Sequence, residues 1–138
     1  TVVDNAQAGI EFAHGYTYSA HPVACAAALA TLQVYQSEGL FERAAQLAPM
    51  FEQAAHALKD LPWVKDIRNI GLVAGIELHS KAEGVGQRAA QVFADCWDAG
   101  VLVRVTADTI ALSPPLMISE AEIERIFSTI GQSLSRLS

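Results

Sequence analysis

The feature that most restricts how this chain can fold is a run from Pro22 to Ser37 that contains no charged side chain. Proline is favoured at the first position of a helix, because its missing amide would have no partner there, so Pro22 predicts a helix start. Alanines then recur around most of the circumference, and Gly39 follows as a stop signal. A helix that is apolar on all sides normally lies between layers of a protein, so we expect a long buried helix here.

Downstream, the sequence alternates between helical and strand patterns. A second helix is predicted from about Leu40 to Leu58, and Pro49 is expected to kink or divide it. Further helices are predicted from 86 to 99 and after the capping box formed by Ser119 and Glu122. Strands are predicted at Val64 to Asn69, Leu72 to Leu78, Val101 to Val105 and Thr109 to Leu112. This order predicts an α+β fold with about four strands packed with helices.

Composition argues against several classes of function. Hydrophobic residues make up 51% of the chain, which supports a sizeable core and argues against disorder. The formal net charge is −6 and the basic residues are scattered, so we expect neither nucleic acid nor a membrane as a partner. Cys25 and Cys96 are too few for a disulfide framework, so reduced, buried thiols are expected. No charged leader precedes an apolar segment, which favours a soluble, cytoplasmic protein.

Three segments carry a family likeness. Residues 14–28 read HGYTYSAHPVACAAA, residues 67–76 read IRNIGLVAGI, and residues 103–109 read VRVTADT. They resemble the YSxHPxxCAAA, RxxGLxxxI and VRxxGDT motifs of class III aminotransferases, which depend on pyridoxal phosphate. The nearest likeness within that family is to the ω-amino acid:pyruvate (β-alanine:pyruvate) aminotransferases. One residue departs from the pattern: Ala107 stands where the family usually has glycine, which puts the shape of that turn in doubt.

The resemblance implies the aspartate-aminotransferase-type fold, of which this chain would be the carboxy-terminal portion. Residues 1–39 would form the tail of the large cofactor domain together with the interdomain helix, and residues 40–138 would form the small carboxy-terminal domain. Intact enzymes of this kind move an amino group from an ω-amino acid such as β-alanine to pyruvate. The large domain and the partner subunit would then cover the uncharged helix.

The resemblance also assigns site residues. Thr17 matches the threonine that donates its hydroxyl and amide to the cofactor phosphate of the neighbouring subunit, and Tyr16 would contribute through its backbone and packing. Arg104 matches the arginine that pairs with a substrate carboxylate and swings aside for other substrates. Taken without the motifs, Thr17 is typical of a turn and Arg104 of a solvated strand. Alternation along 101–105 places Leu102 and Arg104 on one face, opposite the valines.

The catalytic machinery is missing from this sequence. No lysine matches the one that holds pyridoxal phosphate covalently, and no aspartate matches the partner of its pyridinium nitrogen. Lys59, Lys65 and Lys81 have the flanks of surface lysines, so no catalytic residue is predicted and the chain alone is expected to be inactive. His14 and His21 lack a third ligand in the sequence, so no metal site is predicted.

Three interpretations remain open. The leading one is a portion of an aminotransferase whose partners are a small-molecule amino donor and a keto-acid acceptor. The second is a truncated product of the same fold that serves as a non-catalytic oligomerisation or interaction module. The third is a small α+β regulatory domain unrelated to aminotransferases. In the first two, the uncharged helix predicts a homo-oligomer, at least a dimer, because water would otherwise meet a large apolar patch.

Overall fold

The computed structural model describes residues 15–82 and 84–137, and the chain divides into two compact units between Ser37 and Glu38. The first unit contains helix α1 (Pro22–Ser37). The second contains α2 (Leu40–His56), β1 (Val64–Ile70), β2 (Val73–Leu78), α3 (Gln87–Asp98), β3 (Arg104–Thr106), β4 (Thr109–Leu112) and α4 (Glu120–Leu134). The predicted α+β order is confirmed. No helix in the described residues is long and apolar enough to cross a membrane.

Helix α1 has the predicted bounds, but no residue in it is buried in the described chain. Its larger apolar side chains, including Leu29 and Leu32, are exposed. The expectation of a buried helix is therefore not met by contacts among residues 15–82 and 84–137. Cys25 in this helix is exposed, contrary to prediction, whereas Cys96 is buried as predicted. Burial raises the pKa of the Cys96 thiol to about 11.

The second unit is built on a four-stranded antiparallel sheet with the strand order β1-β2-β4-β3. Residues along β2 and β4 alternate between buried and more exposed positions, so one face of the sheet enters the core. That face packs with apolar residues of α2, α3 and α4 in a single cluster, which includes Phe51, Ile76, Val92, Ile110 and Ile130. Within the described residues of the second unit, no helix packs on the opposite face.

The last helix begins as predicted. Ser119 accepts a hydrogen bond from the Glu122 amide, and the Glu122 carboxylate accepts one from the Ser119 amide, so the capping box is complete. The helix then buries Ile123, Phe127 and Ile130 on one face. Of the two outcomes expected at Pro49, a kink or a division, division does not occur, because Pro49 lies inside one continuous helix. Burial of residues on both sides of the proline offsets the loss of one helical hydrogen bond.

The third strand is shorter and begins later than predicted, at Arg104 instead of Val101. Among the described residues its strand partner is β4, and the pairing ends at Arg104 and Ala111. The predicted alternation is nevertheless confirmed: the outward residues are Leu102 and Arg104, and the inward ones are Val101, Val103 and Val105.

Candidate functional site

The open face of the sheet carries Arg104. This residue pairs with Ala111 of β4, and Ala111 is opposite Gly75 of β2. Gly75 in turn pairs with Arg68 of β1. Directly paired residues of antiparallel strands point to the same face, so these residues form one row across the sheet. Two small residues therefore lie between the two arginines in this row.

Arg104 is the one arginine whose side chain makes no hydrogen bond or ion pair with the described residues. It is exposed, and among residues 15–82 and 84–137 it has no hydrogen-bond or ion-pair partner. The other arginines contact acceptors as follows: Arg43 the Ile118 carbonyl, Arg68 the Asp66 and Glu77 carboxylates, Arg88 the His79 carbonyl, Arg125 the Ala99 carbonyl, and Arg136 the Asp95 carboxylate. A free, planar guanidinium suits two parallel hydrogen bonds to a carboxylate from solution.

The turn after β3 is tied to other parts of the unit. Ala107 lies at φ 49°, in the left-handed region that favours glycine. The Asp108 carboxylate accepts hydrogen bonds from the Ser80 hydroxyl at 2.6 Å and from the Gly86 amide at 2.7 Å. The hydrogen bond from Ser80, which has the larger effect, and the one from Gly86 hold the pKa of the Asp108 carboxyl below its ordinary value. The turn is therefore fixed by a charged and doubly engaged side chain.

The segment that meets Asp108 is itself anchored. Arg88, in the first turn of α3, is only 5% exposed. Its guanidinium carbon lies 3.6 Å from the centre of the Trp63 ring, and its Nη1 donates to the His79 carbonyl at 2.8 Å. A cation over an aromatic face is attractive, and more so where water is excluded. The approach to α3 is thus held by Trp63 and His79 on one side and by Asp108 on the other.

A cavity of about 890 Å³ borders the β3 edge of the sheet. Its lining is largely apolar and includes Leu102, Met117 and Ile126, with the charged residues Arg104, Glu122 and Arg125. Glu122 is engaged in the capping box, and Arg125 donates to the Ala99 carbonyl. Arg104 is therefore the cation left for a ligand. An apolar wall beside one free polar group is the usual composition of a small-molecule site.

In the first unit, Thr17 lies in the turn that leads into α1. The Ser19 amide donates to the Tyr16 carbonyl at 3.0 Å, and the His21 amide donates to the Tyr18 carbonyl at 3.2 Å. Both Thr17 and Tyr16 are exposed. An exposed hydroxyl close to the positive end of a helix fits a phosphate group. His14, the other residue of the motif considered above, lies outside the described residues.

None of the lysines has the surroundings of a catalytic amine. Lys59 and Lys65 are exposed, and Lys81 is half-buried. The Lys65 ammonium lies 2.6 Å from Glu77, and this hydrogen bond raises the pKa of Lys65. A nucleophilic lysine needs the opposite shift. In the part of the chain that the structure describes, no cluster of three His, Cys, Asp or Glu residues could hold a metal ion.

The predicted site residues are divided between the two units, with Thr17 and Tyr16 in the first and Arg104 in the second. Around the turn after β3 the structure adds Asp108 and Ser80, which the sequence analysis did not identify as site residues. The sequence could have identified Asp108 as a site residue, because it is a carboxylate in the turn directly after the strand of Arg104. No such signal marks Ser80, because it reaches Asp108 only in the folded chain.

Solved structures similar to this chain include transaminases. One, a transaminase with L-alanine, superposes with a TM-score of 0.80 at 29% identity, over 96% of this chain and 32% of that one. The fold is therefore that of the aspartate-aminotransferase type. Residues 2–134 match the class-III aminotransferase family, and the chain belongs to that family. Its members depend on pyridoxal phosphate.

Two curated relatives of this chain are named as aminotransferases. The omega-aminotransferase of Caulobacter vibrioides is 51% identical over 136 residues, which are 99% of this chain and 31% of the relative. The omega-amino acid–pyruvate aminotransferase of Pseudomonas putida is 41% identical over 93% of this chain and 28% of its own length. The chain thus spans less than a third of the length of the relatives that it matches.

Proposed function

We propose that this chain is the carboxy-terminal part of an aminotransferase that moves an amino group from an ω-amino acid such as β-alanine to pyruvate. The observation that carries the proposal is the free guanidinium of Arg104 on the open face of the sheet. Both substrates bear a carboxylate, which is the group that such a guanidinium binds best. The similarity to relatives named for ω-amino acids, β-alanine and pyruvate supports the same substrate class.

Arg104 would hold the substrate carboxylate by two parallel, charge-assisted hydrogen bonds. Its neighbours in the row, Ala111 and Gly75, have little or no side chain, so a flat ligand could approach the guanidinium along the sheet. Arg68 in the same row would not compete for the carboxylate, because Asp66 and Glu77 already neutralise it.

Thr17 would donate its hydroxyl and amide to the phosphate of the cofactor bound by a neighbouring subunit, with Tyr16 shaping the turn. The exposure of Thr17 and the helix that begins at Pro22 support this assignment. When bound, pyridoxal phosphate supplies the electron sink that the amino transfer requires. We further propose that residues 1–39 end the large cofactor domain and that residues 40–138 form the small domain. The division found between residues 37 and 38 supports that boundary.

The first test uses this chain alone. Because no lysine has the position or the surroundings to hold the cofactor, incubation with pyridoxal phosphate, β-alanine and pyruvate should give no alanine above background. The measurement is chromatographic quantification of alanine. Turnover, or a borohydride-reducible cofactor adduct mapped to Lys59, Lys65 or Lys81, would contradict the proposal.

The second test uses an enzyme of full family length that carries this chain. Arg104→Ala should weaken carboxylate substrates by about 1.5–3 kcal/mol, roughly ten- to hundredfold in kcat/KM, because a charge-assisted pair is lost. Primary amines without a carboxylate should be affected much less. Arg68→Ala is the matched control, since it removes an exposed guanidinium from the same row, and it should leave both classes unchanged. Equal losses for both substrate classes in Arg104→Ala would indicate a structural role.

A further inference from the structure

We propose that Asp108 is a positioning residue, whose carboxylate fixes the turn after β3 and thereby the place at which Arg104 meets a substrate carboxylate. The inference rests on the proposed role of Arg104 and adds a residue to it. Asp108 itself lies past the far end of the strand from Arg104, so it would act on the substrate only through the position of that strand.

Three hydrogen bonds join Asp108 to residues outside its own hairpin. Its carboxylate accepts from the Ser80 hydroxyl at 2.6 Å through Oδ2 and from the Gly86 amide at 2.7 Å through Oδ1. Its main-chain carbonyl accepts from the Leu78 amide at 2.9 Å. One residue thus connects the turn to the end of β2, to the segment after it and to the N-terminus of α3.

The strand of Arg104 depends on this turn. β3 spans only Arg104–Thr106 and, among the described residues, pairs with β4 alone, so no second strand fixes it. The turn is also in close backbone contact with α3: a Cβ built on Gly86 would lie 3.1 Å from the Ala107 carbonyl oxygen. Ala107 is held at φ 49°, which costs free energy for any residue with a side chain. Contacts outside the hairpin must therefore stabilise this conformation.

The groups that Asp108 binds are well placed to fix it. Gly86 directly precedes α3, and Arg88 two residues later is buried against Trp63 and bonded to the His79 carbonyl. The segment that contacts Asp108 is thus itself held in place by Trp63 and His79. A carboxylate is needed because each of its oxygens serves a different donor. Asparagine has nearly the same shape but only one acceptor oxygen.

The experiment compares Asp108→Ala, Asp108→Asn and the control Asp98→Ala in an enzyme of full family length that carries this chain. Asp98 is an exposed carboxylate at the end of α3. We expect Asp108→Ala to raise KM for pyruvate about tenfold, since small displacements of a binding group are costly, and Asp108→Asn to raise it less. The half-reaction with a primary amine that lacks a carboxylate should change less than about twofold, because its kcat and KM do not involve Arg104. Asp98→Ala should match the parent enzyme.

The double variant Arg104→Ala/Asp108→Ala separates this inference from the proposed function. If Asp108 acts through Arg104, its removal should have no further effect on KM for pyruvate once Arg104 is absent. Additive effects, an unchanged KM in Asp108→Ala, or equal losses with both substrates would overturn the inference. If Arg104→Ala alone leaves KM for pyruvate unchanged, the proposed role of Arg104 fails instead. Should Asp108→Ala not fold, the same comparisons are made with the near-isosteric Asp108→Asn.

Discussion

Replacing Gly86 by alanine tests how tightly the turn after β3 packs against the start of α3. Gly86 lies at φ 84°, and a Cβ there would lie 3.1 Å from the Ala107 carbonyl oxygen and 3.4 Å from the carbonyl carbon. These neighbours are backbone atoms, which cannot rotate away as a side chain can. The substitution therefore combines two costs, a strained backbone conformation and a steric conflict.

Gly71→Ala isolates the first of these costs. Gly71 lies at φ 54°, and a Cβ there would meet no atom within 4 Å. Placing alanine in the left-handed region costs about 1–2 kcal/mol. The smaller entropy of the unfolded chain returns about 0.4–1 kcal/mol of this. We therefore expect Gly71→Ala to lower the free energy of unfolding by about 1 kcal/mol.

Gly86→Ala should lose the same amount and also the cost of overpacking, about 1–3 kcal/mol, for a total of about 2–4 kcal/mol. The assay is urea denaturation followed by tryptophan fluorescence. Both tryptophans, Trp63 and Trp97, belong to the second unit and so report on the part that contains the glycines. If the two variants lose equal stability, the packing of Gly86 against Ala107 is not close, and one support for the positioning role of Asp108 is removed.

Three further predictions concern other parts of the molecule. A thiol reagent at pH 8 should modify Cys25 and spare Cys96 in the folded chain, because Cys96 is buried with a pKa of about 11, and reaction of both thiols at equal rates would contradict this. Ser133→Ala should destabilise the chain at pH 7, because the Ser133 hydroxyl bonds Asp95 and holds its pKa below the ordinary value. This contribution is present above the unfolded pKa of about 4 and is lost as pH falls through the lower folded pKa, so urea titrations should show the variant and the parent converging in acid. At micromolar concentration, light scattering should give a mass of at least two chains. Leu29→Glu should reduce this mass, because it places a charge on the exposed surface of α1. A monomeric parent chain would refute association through this helix.

The elements of the fold could be predicted from the sequence because most of them carry local signals. Pro22 and the Ser119–Glu122 pair mark helix starts, and the alternation of Leu72 to Leu78 marks a strand with one buried face. Where tertiary context decides, the local signal left two outcomes open. Pro49 was expected to kink or divide a helix, and buried neighbours on both sides keep α2 undivided.

The candidate site was predictable only in part. Arg104 is recognisable from its motif and from the alternation along its strand. The lack of a hydrogen-bond or ion-pair partner for Arg104 among residues 15–82 and 84–137, the property that supports its role, depends on contacts far apart in sequence. Asp108 and Ser80 are 28 positions apart, and no periodicity in the sequence brings them together. The exposure of α1 was unpredictable for a different reason, since its composition is that of a covered helix and nothing within the described chain covers it.

The two outer strands of the sheet differ in a way that affects how copies of the chain can meet. Unpaired backbone groups on an edge strand can recruit a strand from another molecule, which is how fibrous aggregates begin. β1 is interrupted by a bulge between Val64 and Asp66 and carries Lys65 and Arg68, while β3 is only three residues long. Bulges, charges and short length all discourage strand addition. The predicted association through α1 would therefore not grow into an extended sheet along these edges.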